Sequence, residues 1–246
     1  MATNNWAERT ILLLSEQKFE VLQNAHVLVA GLGGVGSFAA EFLVRAGIGN
    51  ITIIDHDTIH PSNINRQIHA LHSTVGKSKA LTMKQRLLDI NPNLNITALQ
   101  TFINEQNVNN ILNANFSYVI DAIDTLTPKI LLIYNTIQKN IPLVSSLGSG
   151  GRLDPSKIKV DDISKTHGDK LGRLLRKRLH KLGIYSGFKA VFSTEKPNKN
   201  AMLFVNEQNK KTTWGTISYL PAIFGALCAA TAINDLLAAS PSNNLN

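Results

Sequence analysis

A glycine-rich turn between a short apolar segment and a helical pattern constrains this chain more than any other feature. Residues 27–30 form a β-branched run of the length expected for a buried parallel strand. Gly31, Gly33, Gly34 and Gly36 follow, in the pattern G-x-G-x-x-G, and residues 38–43 have helical apolar spacing. Such a turn lets the backbone approach a ligand phosphate, and the helix N-terminus presents unpaired N–H groups to its charge. The pattern predicts a nucleotide site.

Acidic residues follow the next apolar run, residues 51–54, which ends in Asp55 and is followed closely by Asp57. A carboxylate at the end of a second strand can hold the ribose hydroxyls. We therefore expect Asp55 and Asp57 to bind the nucleotide together with the glycines. The alternative is a glycine turn needed only for close packing of helix on strand. NAD is the usual ligand of this pattern, but the residues after Asp55 argue against it.

Strand-like and helix-like segments alternate up to residue 145, with further apolar runs at 96–99, 118–120 and 141–145. This alternation predicts an α/β fold with a Rossmann-like, doubly wound, mainly parallel sheet that binds ligands at its carboxyl edge. Beyond Gly148 the pattern changes, and residues 158–163 and 188–193 read as strands. We expect a nucleotide-binding domain over 1–146, which includes an N-terminal helix, and an extension of antiparallel strands and helices over 147–246. The two together are expected to form one compact unit.

A basic segment, residues 165–181, lies in this extension of a chain whose formal net charge is +8. An amphipathic helix with a solvated face is one interpretation, and a surface for a phosphate backbone is the one that the overall charge favours. A second, weaker basic group flanks a polar loop and comprises Lys196, Lys199, Lys210 and Lys211. The expected RNA contacts of the basic segment are Lys165, Lys170, Arg173, Arg176, Lys177, Arg178 and Lys181.

The last segment, residues 217–239, is apolar and near membrane-spanning length. We prefer a helix buried against the sheet or a dimer partner over membrane association, because the segment is rich in small residues and contains Asn234 and Asp235. The single cysteine, Cys228, excludes an internal disulfide and a four-cysteine zinc site. The N-terminus lacks the pattern of a signal peptide, so we expect a cytoplasmic protein.

Activation of a carboxylate by ATP needs cations around the phosphates and a carboxylate that holds Mg²⁺. Arg66 and Lys79 come from segments near the strand ends and could supply the positive charge. Arg9 could reach the phosphates if the N-terminal helix folds over the site. Asp124, after another strand, is the candidate Mg²⁺ ligand. Taken alone, each of these residues is more simply explained by a surface salt bridge.

Four separated motifs, GLGGVGS, DHDTIHPSNINRQ, VGKSK and DAIDT, resemble those of the ThiF/MoeB-like adenylating enzymes, relatives of the ubiquitin-activating enzyme. The resemblance covers about residues 6–150. It implies that Arg66, Lys79, Asp124 and Arg9 contact ATP and Mg²⁺. Asn65 and Gln67 belong to the same N-R-Q motif and are expected to bind the nucleotide.

This sequence lacks two features of several members of that family, which narrows the choice of branch within it. The paired C-x-x-C zinc ligands and the catalytic cysteine of several members are missing, which makes a thioester relay improbable. The remaining stretches, among them GSGGRLDPSKIKVDDISKTHGD, are similar to the branch of tRNA threonylcarbamoyladenosine dehydratases. That resemblance implies ATP-dependent cyclisation of threonylcarbamoyladenosine beside the anticodon, through activation of its threonyl carboxylate. It also implies a homodimer and, more weakly, a cysteine-desulfurase or sulfur-acceptor partner.

Several alternatives stay open at this point. One is an adenylyltransferase that activates the C-terminus of a sulfur-carrier or ubiquitin-like protein, and another is a non-catalytic protein that keeps the nucleotide fold. The sequence does not decide between AMP and ADP as product. His69, His72 and His167 could act as general base, but a lone histidine is more often structural.

Overall fold

The computed structural model describes residues 5–207 and 210–239. The α-helices are α1 (Glu8–Leu14), α2 (Glu16–Asn24), α3 (Gly36–Ala46), α4 (Lys79–Ile90), α5 (Val108–Ile111), α6 (Leu126–Gln138), α7 (Lys170–His180) and α8 (Tyr219–Ala239). The strands are β1 (His26–Ala30), β2 (Asn50–Ile54), β3 (Asn95–Leu99), β4 (Tyr118–Asp121), β5 (Leu143–Ser146), β6 (Ile158–Asp162), β7 (Lys189–Ser193), β8 (Met202–Glu207) and β9 (Lys210–Trp214). Short 3-10 helices span Asn5–Ala7, Pro61–Asn63, His72–Thr74, Pro155–Lys157, Ile163–Lys165 and Lys199–Ala201.

The central sheet has seven strands in the order β3-β2-β1-β4-β5-β7-β6. All neighbouring pairs are parallel except β6 and β7, which are antiparallel. This arrangement confirms the predicted α/β class and the antiparallel extension. The direction of winding reverses between β1 and β4, so a ligand crevice is expected outside their carboxyl ends. The β5–β7 pairing carries the sheet across residue 147, while the division into 1–146 and 147–246 stays a prediction.

Helices cover both faces of the sheet, and the central strands β1, β2, β4 and β5 are buried on both sides. On one face α3, α4 and α8 contribute Leu43, Met83 and Phe224 to a common buried cluster. On the other face α6 and α7 contribute Leu132 and Leu175 to a second cluster. The loops at the carboxyl edge of the sheet are therefore held by a packed core from both sides.

Helix α8 packs lengthwise on α3 and on the sheet, as we expected for the apolar C-terminal segment. Its closest approach is at Gly225, where an added Cβ would lie 2.5 Å from the Val35 carbonyl oxygen and 3.0 Å from the Ala39 nitrogen. Among the described residues α8 is the one helix long and apolar enough to cross a membrane, with 39% of its most apolar window buried. Packing on α3 and on the sheet buries part of this apolar surface.

Two local predictions differ from the structure. The N-terminal helix is broken at Ser15, whose φ is +78°, into α1 and α2. The basic helix, by contrast, begins at Lys170 as the sequence indicates, because Gly168 has a left-handed φ of +76° and the Asp169 side chain accepts the Gly172 N–H as N-cap. The expected polar loop before residue 214 contains the β8–β9 hairpin. Its second strand ends in Thr-Thr-Trp, a β-branched and aromatic run that favours a strand.

We predict that Gly225→Ala lowers the free energy of unfolding by about 1–3 kcal/mol, as expected for overpacking against backbone atoms. Helix propensity alone would give the opposite sign, since Ala is favoured over Gly by about 1 kcal/mol in a helix. Urea unfolding measures the effect. Ala230→Gly at an exposed position of α8 serves as the control, because it measures the helix-propensity difference between Ala and Gly without a packing change. A stabilised Gly225→Ala variant would show that α8 is not held against α3.

Candidate nucleotide site

The glycine turn connects β1 to α3 at the carboxyl edge of the sheet. Gly31 has a φ of +87°, and a Cβ there would lie 2.8 Å from the Ala122 carbonyl oxygen. A Cβ on Gly36 would lie 1.8 Å from the Gly31 oxygen. At Gly33 the nearest atom to an added Cβ is Nε2 of Gln67, 4.0 Å away. Gly31 and Gly36 are therefore required by packing, whereas Gly33 leaves room for a ligand.

The Asp55 carboxylate holds this turn to the end of β2. Its Oδ2 accepts the Leu32 N–H at 2.7 Å, and its Oδ1 accepts the Asp57 N–H at 2.9 Å. Burial raises the pKa of Asp55, and the charge of Lys79 opposes that shift. Each oxygen has a further lone pair. Asp55 thus shapes the turn and still has acceptor capacity for a ribose hydroxyl.

Lys79 is buried at the start of α4 beneath this edge. Its Nζ lies 2.7 Å from Oδ2 of Asp57, whose other oxygen is 3.1 Å from Nε2 of His56. Carboxylate and imidazole atoms of Asp55, His56 and Asp57 lie within 4.8 Å of one another. Lys79 therefore pairs with Asp57 within this group, and the role of Asp124 as the Mg²⁺ ligand stays a prediction.

Arg66 lies at this edge of the sheet, where its charge interacts with that of Asp124. The guanidinium of Arg66 donates to the Ser62 carbonyl oxygen at 2.7 Å and to Oδ1 of Asn65 at 2.8 Å. Partial burial lowers the pKa of Arg66, and the Asp124 carboxylate opposes that shift. Backbone and side-chain atoms of Arg66 also lie 3.2–3.3 Å from the position of a Cβ on Gly34. The arginine, this carboxylate and the glycine turn therefore belong to one site.

The other two residues of the N-R-Q motif reach different neighbours. Asn65 donates through Nδ2 to the Thr216 carbonyl oxygen at 2.9 Å, which ties this loop to the segment before α8. Gln67 is 6% exposed, and its Oε1 has no hydrogen-bond partner among the described residues. Since its Nε2 is the atom nearest the open side of Gly33, Gln67 faces the space in which a ligand would lie.

The structure does not bring Arg9 to this site within one chain. Arg9 is exposed on α1, whose contacts are mainly with α2 and the preceding 3-10 helix. The condition stated for its role, an N-terminal helix folded over the site, is not met by the chain's own α1.

The basic segment starts at the same edge of the sheet as the site. Asp169, the N-cap of α7, accepts the N–H of Gly148 just after β5 and is paired with the buried Arg152. Two of the expected RNA contacts have other partners, since Lys165 pairs with Asp161 at 3.1 Å and Arg176 donates to Oγ1 of Thr166. Five are exposed and have no ion pair within the part of the chain that the structure describes, namely Lys170, Arg173, Lys177, Arg178 and Lys181.

A buried ion pair under the crevice was missed by the sequence reasoning. Nζ of Lys129 lies 2.6 Å from Oδ2 of Asp121, and both side chains are fully buried. Lys129 also donates to the carbonyl oxygens of Ile123 and Ser146, which fixes the loop that leads to Asp124. The available signal was a lysine inside the apolar run of α6, a position where lysine is rare unless paired.

His69 is a second residue whose environment could not be predicted. It is 2% exposed, and neither ring nitrogen has a hydrogen-bond partner among the described residues. Burial, together with the charges of Lys79 and Arg86, lowers the pKa of His69 to about 4. His69 is therefore neutral at pH 7 and does not add its charge to those of Lys79 and Arg86.

The fold and the glycine turn at this edge of the sheet together define the class of nucleotide-binding α/β proteins. A family model described as the ThiF family matches residues 7–246, and the chain belongs to the ThiF family. Proteins named tRNA threonylcarbamoyladenosine dehydratase from Bacillus subtilis and Escherichia coli are 38% and 39% identical to it. The matches cover 93% and 95% of this chain and the same shares of the relatives.

A solved structure agrees with the sequence matches. The crystal structure of the E. coli tRNA N6-threonylcarbamoyladenosine dehydratase in complex with ATP has a TM-score of 0.88 and 38% identity, and the match covers 97% of each chain. A molybdopterin-synthase adenylyltransferase from E. coli, 33% identical, matches only 51% of this chain. These findings confirm the predicted resemblance to the dehydratase branch, and they do not favour the carrier-protein adenylyltransferase.

We predict a pH-dependent loss of stability that originates at His69. Because its folded pKa lies below the unfolded value of about 6.5, the unfolded chain binds the proton first. Stability is therefore lost as the pH falls from about 6.5 towards 4, by about 1–2 kcal/mol at pH 5.

Urea unfolding at pH 7 and pH 5 measures this effect in the wild type and in His69→Gln, which cannot titrate. The wild type should lose about 1–2 kcal/mol more than the variant over this interval. Equal losses in the two proteins would contradict the assignment.

Proposed function

We propose that this chain is an ATP-dependent tRNA threonylcarbamoyladenosine dehydratase. The observation that supports the proposal is the placement of two cations beside the glycine turn, since Arg66 lies against Gly34 and Lys79 pairs with Asp57 next to Asp55, which holds the turn. The fold matches that of a dehydratase solved with ATP and, in a second structure, with AMP. The substrate is threonylcarbamoyladenosine beside the anticodon of tRNA, and ring closure removes one molecule of water overall.

The triphosphate lies along the glycine turn, on the open side of Gly33. The α3 N-terminus directs N–H groups at its charge, and Asp55 accepts a ribose hydroxyl. Arg66 and Lys79 neutralise the charge that develops when the bond from the α-phosphate to pyrophosphate breaks. Asn65 and Gln67 complete the nucleotide contacts.

Asp124 is suited to hold Mg²⁺, since it is an exposed carboxylate just after β4 whose charge also acts on Arg66. Carboxylate oxygens are the protein ligands that this ion prefers. When bound, the ion would add positive charge beside the phosphates. The loop that carries Asp124 is held by Lys129, which keeps the carboxylate at the edge of the sheet.

The chemistry proceeds in two steps that balance. An oxygen of the threonyl carboxylate bonds to the α-phosphorus as pyrophosphate leaves. The carbamoyl group of the same nucleoside then attacks the acyl carbon and loses one proton to solvent, the carbon–oxygen bond to AMP breaks as AMP leaves, and the ring closes. Because the nucleophile belongs to the substrate, the protein needs no catalytic cysteine. Cys228 is fully buried in α8, where burial raises the pKa of its thiol to about 12.

The exposed cations of α7 supply the RNA surface in this proposal. The helix begins beside Gly148 at the edge of the site and carries Lys170 and Arg173 in its first turns. A nucleoside in the crevice would thus have its flanking phosphates next to positive charge. A tRNA substrate also agrees with a cytoplasmic location.

The homodimer expected for this family would give Arg9 a role at the partner's site. Arg9 is exposed on α1, and the same helix exposes Leu12 by 86% and Leu13 by 83%. Exposed leucines of this kind are typical of a protein–protein contact. We include in the proposal that α1 crosses to a second copy and places Arg9 on that copy's phosphates.

Substitution at the crevice tests the catalytic roles. Arg66→Ala and Asp124→Ala should each lower ring closure by at least about 100-fold, because each removes charge stabilisation at the phosphates. Binding of the modified tRNA should stay close to that of the wild type. Product nucleosides are measured by mass spectrometry and released AMP by chromatography, with Lys18→Ala on the exposed face of α2 as the control. Wild-type turnover by either crevice variant would remove its assigned role.

Mixed dimers test whether Arg9 acts across the interface. Arg9→Ala and Lys79→Ala should each be nearly inactive alone. In a mixed dimer, the site with an intact Lys79 receives Arg9 from the other chain, so activity returns at one site of the two. Activity is compared before and after co-refolding of the two variants, and no recovery would place Arg9 at its own site or outside catalysis.

A further inference from the structure

Two aromatic rings lie exposed beyond the basic face of α7. Tyr185 is 62% exposed, and its ring centroid lies 4.9 Å from that of the exposed His180 at an interplanar angle of 35°. A tyrosine exposed to this degree has most of one ring face in contact with solvent. Neither ring has a part in the nucleotide site described above.

The segment that carries Tyr185 is fixed on both sides. The Ile184 N–H donates to the Leu179 carbonyl oxygen at 3.0 Å, and Gly183 adopts a left-handed φ of +79°, which closes the C-terminus of α7. The Ile184 side chain is buried, and the Gly187 N–H donates to Oδ2 of Asp162 at 2.8 Å. The ring is therefore displayed from a short anchored turn, so a ligand that stacks on it orders little additional chain.

Basic residues of α7 lie between this aromatic pair and the carboxyl edge of the sheet. Arg173, Lys177 and His180 are spaced i, i+4 and i+7, which places them along one face of α7. Lys181 is exposed in the next position. The helix is about 16 Å long at 1.5 Å per residue, so the pair lies that far from the end that meets Gly148.

We propose that the His180–Tyr185 pair is a stacking site for an unpaired base of the RNA substrate. Arg173, Lys177 and Lys181 would hold the phosphates between that base and the crevice. Unpaired bases in loops are recognised by stacking on aromatic side chains, whereas a duplex presents its backbone and minor groove instead. The proposal rests on the proposed function, since it assumes a tRNA substrate whose modified nucleoside lies next to an unpaired loop.

Binding of an anticodon stem-loop RNA that carries threonylcarbamoyladenosine tests the site, measured by fluorescence anisotropy at several salt concentrations. Tyr185→Ala and Tyr185→Leu should weaken binding about 5- to 100-fold, the range expected for one lost base–aromatic stack. Tyr185→Trp should retain affinity. Leu182→Ala, which removes an exposed apolar neighbour, is the matched control and should stay within about twofold of the wild type.

Salt dependence separates stacking from charge. Tyr185→Ala should leave the slope of log K against log salt unchanged, whereas Lys177→Ala should reduce its magnitude by about 0.7–0.9. A fully paired RNA should bind the wild type and Tyr185→Ala equally. Circular dichroism and thermal unfolding confirm that each variant is folded.

The outcomes distinguish the two proposals. Wild-type affinity in Tyr185→Ala, with ring closure by the wild type intact, would overturn the stacking site and leave the dehydratase proposal standing. A reduced salt slope in Tyr185→Ala would also overturn it, because the ring would then act only by arranging the cations. If the wild type neither binds nor cyclises the modified RNA, both proposals fail.

Discussion

The buried carboxylate of Asp55 is the contact on which the geometry of the site depends. It accepts backbone N–H groups from Leu32 in the glycine turn and from Asp57 beyond β2. Asp57 in turn pairs with Lys79 at the start of α4. Asp55 therefore fixes the position of the glycine turn relative to Lys79. A buried charge held in this way is costly to disturb because its partners are backbone groups with no alternative acceptor.

The two parts of the chain contribute differently to the proposed reaction. Residues before 147 supply the glycine turn and the charged side chains around it. Residues after 147 pack against the carboxyl edge of the sheet. Pro221 at the start of α8 lies against Gly34, and the Thr216 carbonyl oxygen accepts a hydrogen bond from Asn65. Arg152 then links Gly148 to the start of α7, so the basic helix and the crevice share a rigid boundary. In the proposed reaction, this connection would place the RNA surface of α7 next to the nucleotide.

The sequence predicted those parts of the fold and of the site that depend on local patterns and motifs. Short apolar runs, helical spacing and polar residues at the strand ends predicted the sheet, and the resemblance of the motifs suggested that Arg66 and Asp124 belong to one site. Tertiary contacts were not accessible in the same way. The pairing of Lys129 with Asp121, the burial of His69 and the position of α1 depend on contacts between segments that are distant in sequence. The periodicity of the sequence does not predict such tertiary contacts. Arg9 also shows that a residue with a predicted role in the site can lie away from that site in its own chain.

Mass analysis of tRNA nucleosides after incubation with this protein and ATP tests the central claim most directly. The account predicts that threonylcarbamoyladenosine is converted to a product lighter by one water, with AMP and pyrophosphate formed in equal amount. An unchanged nucleoside in the presence of ATP and Mg²⁺, together with ATP–pyrophosphate exchange stimulated by a carrier protein with a Gly-Gly terminus, would contradict it.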